Sequence, residues 1–413
     1  MKKILIMLFV LLLMGSVCAA GASCEPVMLD YSTIISGSQL FYSGSIDGGE
    51  SGIFVMNADG SDPRMLTDLT ANLMAESGGN LLIYLHETEA VNASMAVLRA
   101  DGTIQPLEGV SSGAALASEG RFYWGAGSCA EDGSDLQLYF SGDNVNQYDY
   151  YPMAVDNGYL YYLDWSEMSG LVFSEGSSQP QGAALCRMNL TDRSCEVISS
   201  IGANYLGLEN GKIFYTRTNF WKMDDSFEPV EVTVDQGLFA TDLATLSETR
   251  LAEYPAEANA VDSYAFMKDG VVYGMRSSFS EDADGDYCIL RIQADGTQLD
   301  SIPVSEDSWI TLSCVDRGIL YVSECYIESS EDDFIQKDRI IAINLTDGTQ
   351  TVLNPDSIDM LFYSEIDPAV AVAGGRIYYS AYDMERWSVC LKSMNIDGSD
   401  LRLLAHGISF AEG

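Results

Sequence analysis

The stretch RIYYSAYDMERWSVCLKSMNIDGSDLRLLA runs from Arg376 to Ala405, and its core, MNIDGSDLRLL, nearly copies MNADGSDPRML at Met56 to Leu66. The runs on either side of IDGSD are short, β-branched and aromatic, and they are bounded by Gly, Asn, Asp and Ser. That is the pattern of strands joined by tight turns. Asp-Gly suits a turn whose backbone enters the left-handed region, where most side chains are disfavoured. No part of the chain past the N-terminal apolar run sustains a helical apolar period over three to four turns.

Outward from this stretch, two signals recur eight times each and alternate strictly. One is an aromatic strand just after a Gly- or Asn-containing turn: GSQLFYSGS, GGNLLIYLHE, EGRFYWGAG, DNGYLYYLDW, ENGKIFYTRT, KDGVVYGMRS, DRGILYVSEC and AGGRIYYSAY. The other is a turn between two apolar strands, beginning at Asn57, Arg99, Ser141, Asn189, Thr241, Gln293, Asn344 and Asn395. The turns at Ser141, Asn189 and Thr241 lack the Asp-Gly pair. A further short apolar strand, such as TIIS before Gly37 or AVAVA before Gly374, precedes each aromatic one. Each unit of roughly 40–57 residues is therefore a four-stranded antiparallel meander a-b-c-d. One such sheet cannot cover both of its faces, whereas sheets stacked radially cover each other and leave only short edges.

The reading is an all-β chain with a single β-propeller over residues 31–406. It has eight blades, or seven if the third unit is irregular. Glu25–Asp30 and Gly407–Gly413 are the two candidates for a closing strand, and 407–413 is otherwise a tail.

The chain opens MKKILIMLFVLLLMGSVCAAGASCEP. Two lysines, an apolar run too short to span a bilayer and Ala20-Gly21-Ala22 read as a signal peptide over residues 1–22. Residues 23–30 then form a short N-terminal segment. Secretion is the expectation. The alternative is a lipid tether at Cys24, against which stands Gly21 where that signal wants an aliphatic residue. No later segment is long and apolar enough to be a transmembrane span.

The formal charge is −40, from 61 acidic and 21 basic residues. Such a polyanion repels phosphate backbones, which disfavours nucleic acid as a partner. Of nine cysteines, none forms a C-x-x-C pair, so zinc-ribbon and thioredoxin readings fail. Cys186 and Cys195, in CRMNLTDRSC, flank a turn and are the candidate disulfide; two buried small hydrophobes are the alternative.

The units, above all RIYYS…LKSMNIDGSDLRLLA and GIFVMNADGSDPRML, resemble bacterial secreted β-propellers of unknown function. They are similar in pattern to the YWTD propellers of low-density-lipoprotein receptors and to TolB-like propellers. The shared motif, strand plus Asp-Gly turn, is structural. The resemblance implies a fold and extracytoplasmic binding, and it carries over no site residue. The usual members of those groups have six blades, fewer than are read here.

Chemistry must then lie in the loops that do not repeat. Alternating strands send the b–c and d–a loops to one face, and the b–c loops are rich in acids. In EDADGDY, Asp282, Asp284 and Asp286 alternate as oxygen ligands for calcium would. The glycine falls too early for an EF-hand and Gln293 stands at its twelfth position, so a solvated acidic loop is the simpler reading. Trp165, Trp221 and Trp387, with Asp383 and Glu385, are the candidate ligand contacts, as aromatics among acids that stack on a sugar or grip a peptide. The alternative is that the tryptophans cover the blade tops.

The only histidines are His86 and His406, which leaves no Ser-His-Asp triad and no histidine-bound zinc. The expectation is a non-catalytic binding propeller, secreted or surface-tethered, engaging a protein, peptide or glycan through an acidic face. No cofactor is expected beyond calcium. The alternatives are a carbohydrate-active enzyme with two loop carboxylates and a structural propeller with calcium-stabilised loops.

Overall fold

In a computed structural model of the chain, the a–b turns decide the geometry. At seven of the eight, both central residues have positive φ, as at Asn157 (49°) and Gly158 (77°) or Asp269 (51°) and Gly270 (77°). Two such residues make the hairpin turn whose twist matches that of the strands it joins. The described residues are 27–46, 49–85, 94–108, 110, 114–125, 127–140, 149–166, 182–223, 229–254, 260–278, 287–305, 308–329, 334–353, 360–361, 370–383 and 388–406. The signal-peptide segment, Cys24 and the C-terminal tail lie outside them.

The strands form eight four-stranded antiparallel blades in one ring. The inner strands are Thr33–Ser36, Asn72–Ser77, Ala115–Ser118, Tyr150–Asp156, Ala203–Glu209, Ala260–Lys268, Ser308–Asp316 and Val370–Ala373. Strands b carry the aromatic runs, and Phe41, Phe122, Tyr161, Tyr215, Tyr321 and Tyr378 are all fully buried. Those side chains fill the wedges between neighbouring blades. Blade 5 inserts a second hairpin, Phe220–Met223 with Pro229–Val232, between its strands b and c. Among the described residues no helix is long and apolar enough to cross a membrane.

The c–d turns follow one rule in all eight blades. Asp59, Asp101, Asp132, Asp192, Asp242, Asp295, Asp347 and Asp397 each accept, through Oδ1, a backbone N–H two or three residues ahead. The side chain thus mimics a backbone turn. Arginines tie these turns to the adjacent blade through carbonyls: Arg64 to Ala100, Arg99 to Asp132, Arg187 to Leu243, Arg291 to Leu345 and Arg402 to Asp59.

Blade 3 departs from the expected boundaries. Its c–d turn is Ala130–Ser134, not the segment at Ser141, and its outer strand is only Gln137–Leu138. Strands b and c, Arg121–Trp124 and Gly127–Ala130, are joined by just two residues. EDGS at Glu131 is therefore the turn itself, and Glu131 and Asp132 lie on the face opposite to the one the sequence suggested.

Among the described residues, ring closure uses no exchanged outer strand. Val27–Asp30 joins blade 1 as an extra strand on its inner edge, with Val27 opposite Ile35 and Met28 opposite Ile34. The propeller sheet thus begins before residue 31. Blades 1 and 8 meet side to side through Leu29, Leu40, Tyr42, Ala371, Tyr378 and Leu404. The Tyr378 hydroxyl donates 2.7 Å to the carbonyl of Ala58, across the seam.

Candidate binding site in the central channel

The inner strands of blades 1–5, with Met28 of the N-terminal strand, line a cavity of about 540 Å³ in the central channel. Most of the residues lining it are apolar, including Ile34, Met74, Leu116, Met153 and Leu208, although polar atoms supply more than half of the exposed wall. Polar side chains on the wall come from Glu76, Ser118, Asp156 and Tyr205. Three of these close or nearly close their strands: Glu76 is the penultimate residue of Asn72–Ser77, and Ser118 and Asp156 end Ala115–Ser118 and Tyr150–Asp156. They therefore mark the end of the cavity nearest the a–b turns. Among the described residues, no Lys, Arg or His lines it.

Glu76 is only 5% exposed. Its Oε1 accepts the backbone N–H of Gly79 at 2.7 Å, which fixes the carboxylate over its own turn. Oε2 has no hydrogen-bond partner among the described residues. Asp156 is less buried, and the Asn157 side-chain amide donates to its Oδ2 at 2.7 Å. In the same blade, burial pushes the Tyr151 phenol up to about 12, with the Tyr31 phenol a smaller contributor. Glu76 and Asp156 are the two carboxylates on the cavity wall.

The tryptophan, acid and cysteine candidates are dispersed. Trp165 is 5% exposed, with its ring edge-on to Tyr151 at 5.9 Å between centroids. It packs blade 4 rather than presenting a face to solvent, because the chain turns inward at the end of strand b, where its N–H donates to the Asp149 carbonyl. Trp221 stands in the inserted hairpin of blade 5 opposite Glu231, and Asp383 ends strand b of blade 8 opposite Ser388; only their backbones are described. Trp387, Glu385, Asp282, Asp284 and Asp286 lie outside the described residues, as do most of the acidic b–c loops. Among the described residues, no group of three or more His, Cys, Asp or Glu side chains is arranged to hold a metal ion.

Cys186 and Cys195 are free thiols on adjacent strands. They are not directly opposite: Cys186 faces Val197 and Cys195 faces Met188, a diagonal relation set by the register that the c–d turn imposes, with Arg187 facing Glu196 between them. Cys186 is buried and Cys195 exposed, and burial pushes the Cys186 thiol up to about 12.

Sequence reasoning placed the acids of interest in the loops and passed over Glu76 and Asp156. Their signal is slight, a single carboxylate near the end of an inner strand just before the turn, in LMAESGG and MAVDNG.

No family model matches the chain, and no curated protein matches it. Solved structures similar to it include a prolyl endopeptidase at 13% identity, covering 92% of this chain and 48% of that one, with a TM-score of 0.45. Prolyl oligopeptidase B from Galerina marginata is 10% identical, with 93% and 56% covered and a TM-score of 0.46. The β-propeller domain of the Trilobed protease from Pyrococcus furiosus is 9% identical, with 81% and 82% covered and a TM-score of 0.41. The chain spans about half the length of the first two of these proteins.

Proposed function

We propose that the protein is a non-catalytic, extracytoplasmic binding module, secreted through its N-terminal signal or tethered at Cys24, and that the channel cavity receives part of its ligand. The observation that carries this reading is the cavity wall. A volume of about 540 Å³ falls in the range of ligand pockets, and most of its lining residues are apolar, with only a few polar side chains among them. A glycan chain needs many hydroxyl partners, and this wall offers few. A protein or peptide with an apolar side chain to insert suits it better.

Glu76 and Asp156 are each tied to their own turn, an arrangement suited to fixing a ligand's orientation. The carbohydrate-active alternative would need one of them to protonate a leaving group and the other to act at the sugar.

The test is a screen of peptide and glycan arrays against the protein and against Met153→Trp, which fills the channel from one wall. Peptide hits are expected, and they should be lost in Met153→Trp while its melting temperature stays within a few degrees of the parent. Hits that survive the substitution would refute the channel as the site. Glycan turnover abolished by Asp156→Asn would refute the non-catalytic reading.

A further inference from the structure

The geometry points to a cationic ligand group: an ammonium or guanidinium on an apolar body, seated with its charge at Glu76. This rests on the channel being the binding site, and it adds the chemical class of what enters. Glu76 is 95% buried, being 5% exposed, and among the described residues only its Oε1 takes a hydrogen bond, while Oε2 is not fully enclosed and opens onto the cavity. A buried carboxylate is costly unless its charge is compensated. The single N–H from Gly79 compensates it in part, and Oε2 is left for a partner that none of the described residues supplies.

The rest of the wall agrees. Asp156 adds a second carboxyl group, and among the described residues no basic side chain lines the cavity beside either one. Elsewhere six arginines are engaged: Arg121, Arg187, Arg217, Arg276, Arg339 and Arg376 all pair with carboxylates. A bare metal ion fits poorly, because the space is many times an ion's volume and its walls are Met, Ala, Leu and Val. Those walls, three of them methionines, suit a flexible apolar stem. The formal charge of −40 draws cations toward the ring from a distance.

The probes are 4-phenylbutylammonium, 4-phenylbutanol and 4-phenylbutyrate, titrated calorimetrically into the full protein, with Met153→Trp as the test of location. The ammonium is expected to bind at least about thirtyfold more tightly than the alcohol, as a buried charge pair requires, and the carboxylate to bind not at all. Glu76→Gln should bring the ammonium down to the affinity of the alcohol and leave the alcohol unchanged, with the melting temperature reporting that the fold is intact. A peptide carrying lysine in an apolar context, against the same peptide with norleucine, identifies the source. Tighter binding of the lysine peptide than of the free amine assigns a polypeptide ligand, and the reverse assigns a small amine. Equal binding of ammonium and alcohol, or a Glu76→Gln protein that still prefers the ammonium, would overturn the cation while leaving the channel as a binding site. If no probe enters the channel, both readings fall.

Discussion

Arg317 and Glu119 hold φ values of 49° and 50° at the first positions of their a–b turns, where Asn157, Asn210 and Asp269 serve in blades 4, 5 and 6. Asn and Asp tolerate that region because their short polar side chains bond locally; long side chains there cost roughly 1–2 kcal/mol. Arg317 pairs with Asp316 at 3.7 Å, with its own side chain largely exposed, where such pairs contribute little. Arg317→Gly is therefore expected to raise stability by about 0.5–1 kcal/mol in urea titration, after the greater freedom of glycine in the unfolded chain is subtracted. A lower urea midpoint would show that the arginine does more than fill the turn. At the seam the sign reverses. Tyr378 is 0% exposed, and Tyr378→Phe leaves the Ala58 carbonyl without its donor, so a loss of about 1–3 kcal/mol is expected by the same measurement. The turn glycines were legible because only the backbone dictates them. Glu76 was not, because its role depends on what surrounds it on four other inner strands distant in sequence.

The c–d turn is the element where pH should act. In each blade the turn aspartate is held below its ordinary value of 3.8 by the hydroxyl and N–H of the following Ser or Thr, as at Asp59, Asp101, Asp192, Asp347 and Asp397. A carboxyl whose folded value is depressed adds stability that is complete above the unfolded value and lost as pH falls through the folded one. Stability should thus decline steeply below about pH 4, with every blade contributing. Asp347→Asn with Asp397→Asn keeps an acceptor oxygen in both turns and removes two titrating groups. Urea midpoints from pH 5 to pH 2 should show a shallower decline in this variant, and an unchanged slope would exclude the turns as its source. Thiols report on the same strands. After reduction, iodoacetamide should modify Cys195 in the native protein while Cys129, Cys186 and Cys390, all buried, wait for unfolding. Burial pushes Cys129 up to about 11 and Cys186 up to about 12, far from the thiolate form. Rapid native labelling of Cys186 would contradict the packing of blade 4. Blade 3 shows where element reading failed. A two-residue b–c link and a two-residue outer strand leave too little apolar alternation to locate a turn, so EDGS passed for a loop.

At the scale of the molecule, closure rests on side-chain packing and on the strand Val27–Asp30. Leu29 is 3% exposed within the seam cluster, and burying one such side chain is worth about 1.5–3 kcal/mol. A chain beginning at Tyr31 should lose at least that much relative to one beginning at Ser23, read as a lower melting temperature. It would also lose Met28 from the cavity wall. Equal melting temperatures would mean that the strand is an ornament. Blade count and radial stacking were legible in the repeat. The inner-edge position of the N-terminal strand was not, since four residues that pair with their own neighbours carry no mark of the distant blade they touch. That arrangement has a consequence for assembly in time. Every blade is one continuous piece of chain, so its sheet can form as soon as it is synthesised, with loops short enough to close quickly. Among the described residues, the first and last blades meet at the seam, and it comes last. Until then the chain is an open arc with two sticky ends, the apolar flanks of blades 1 and 8. At low concentration these find each other. When crowded, the end of one arc can meet the beginning of another, so the folding yield should depend on concentration through this single joint.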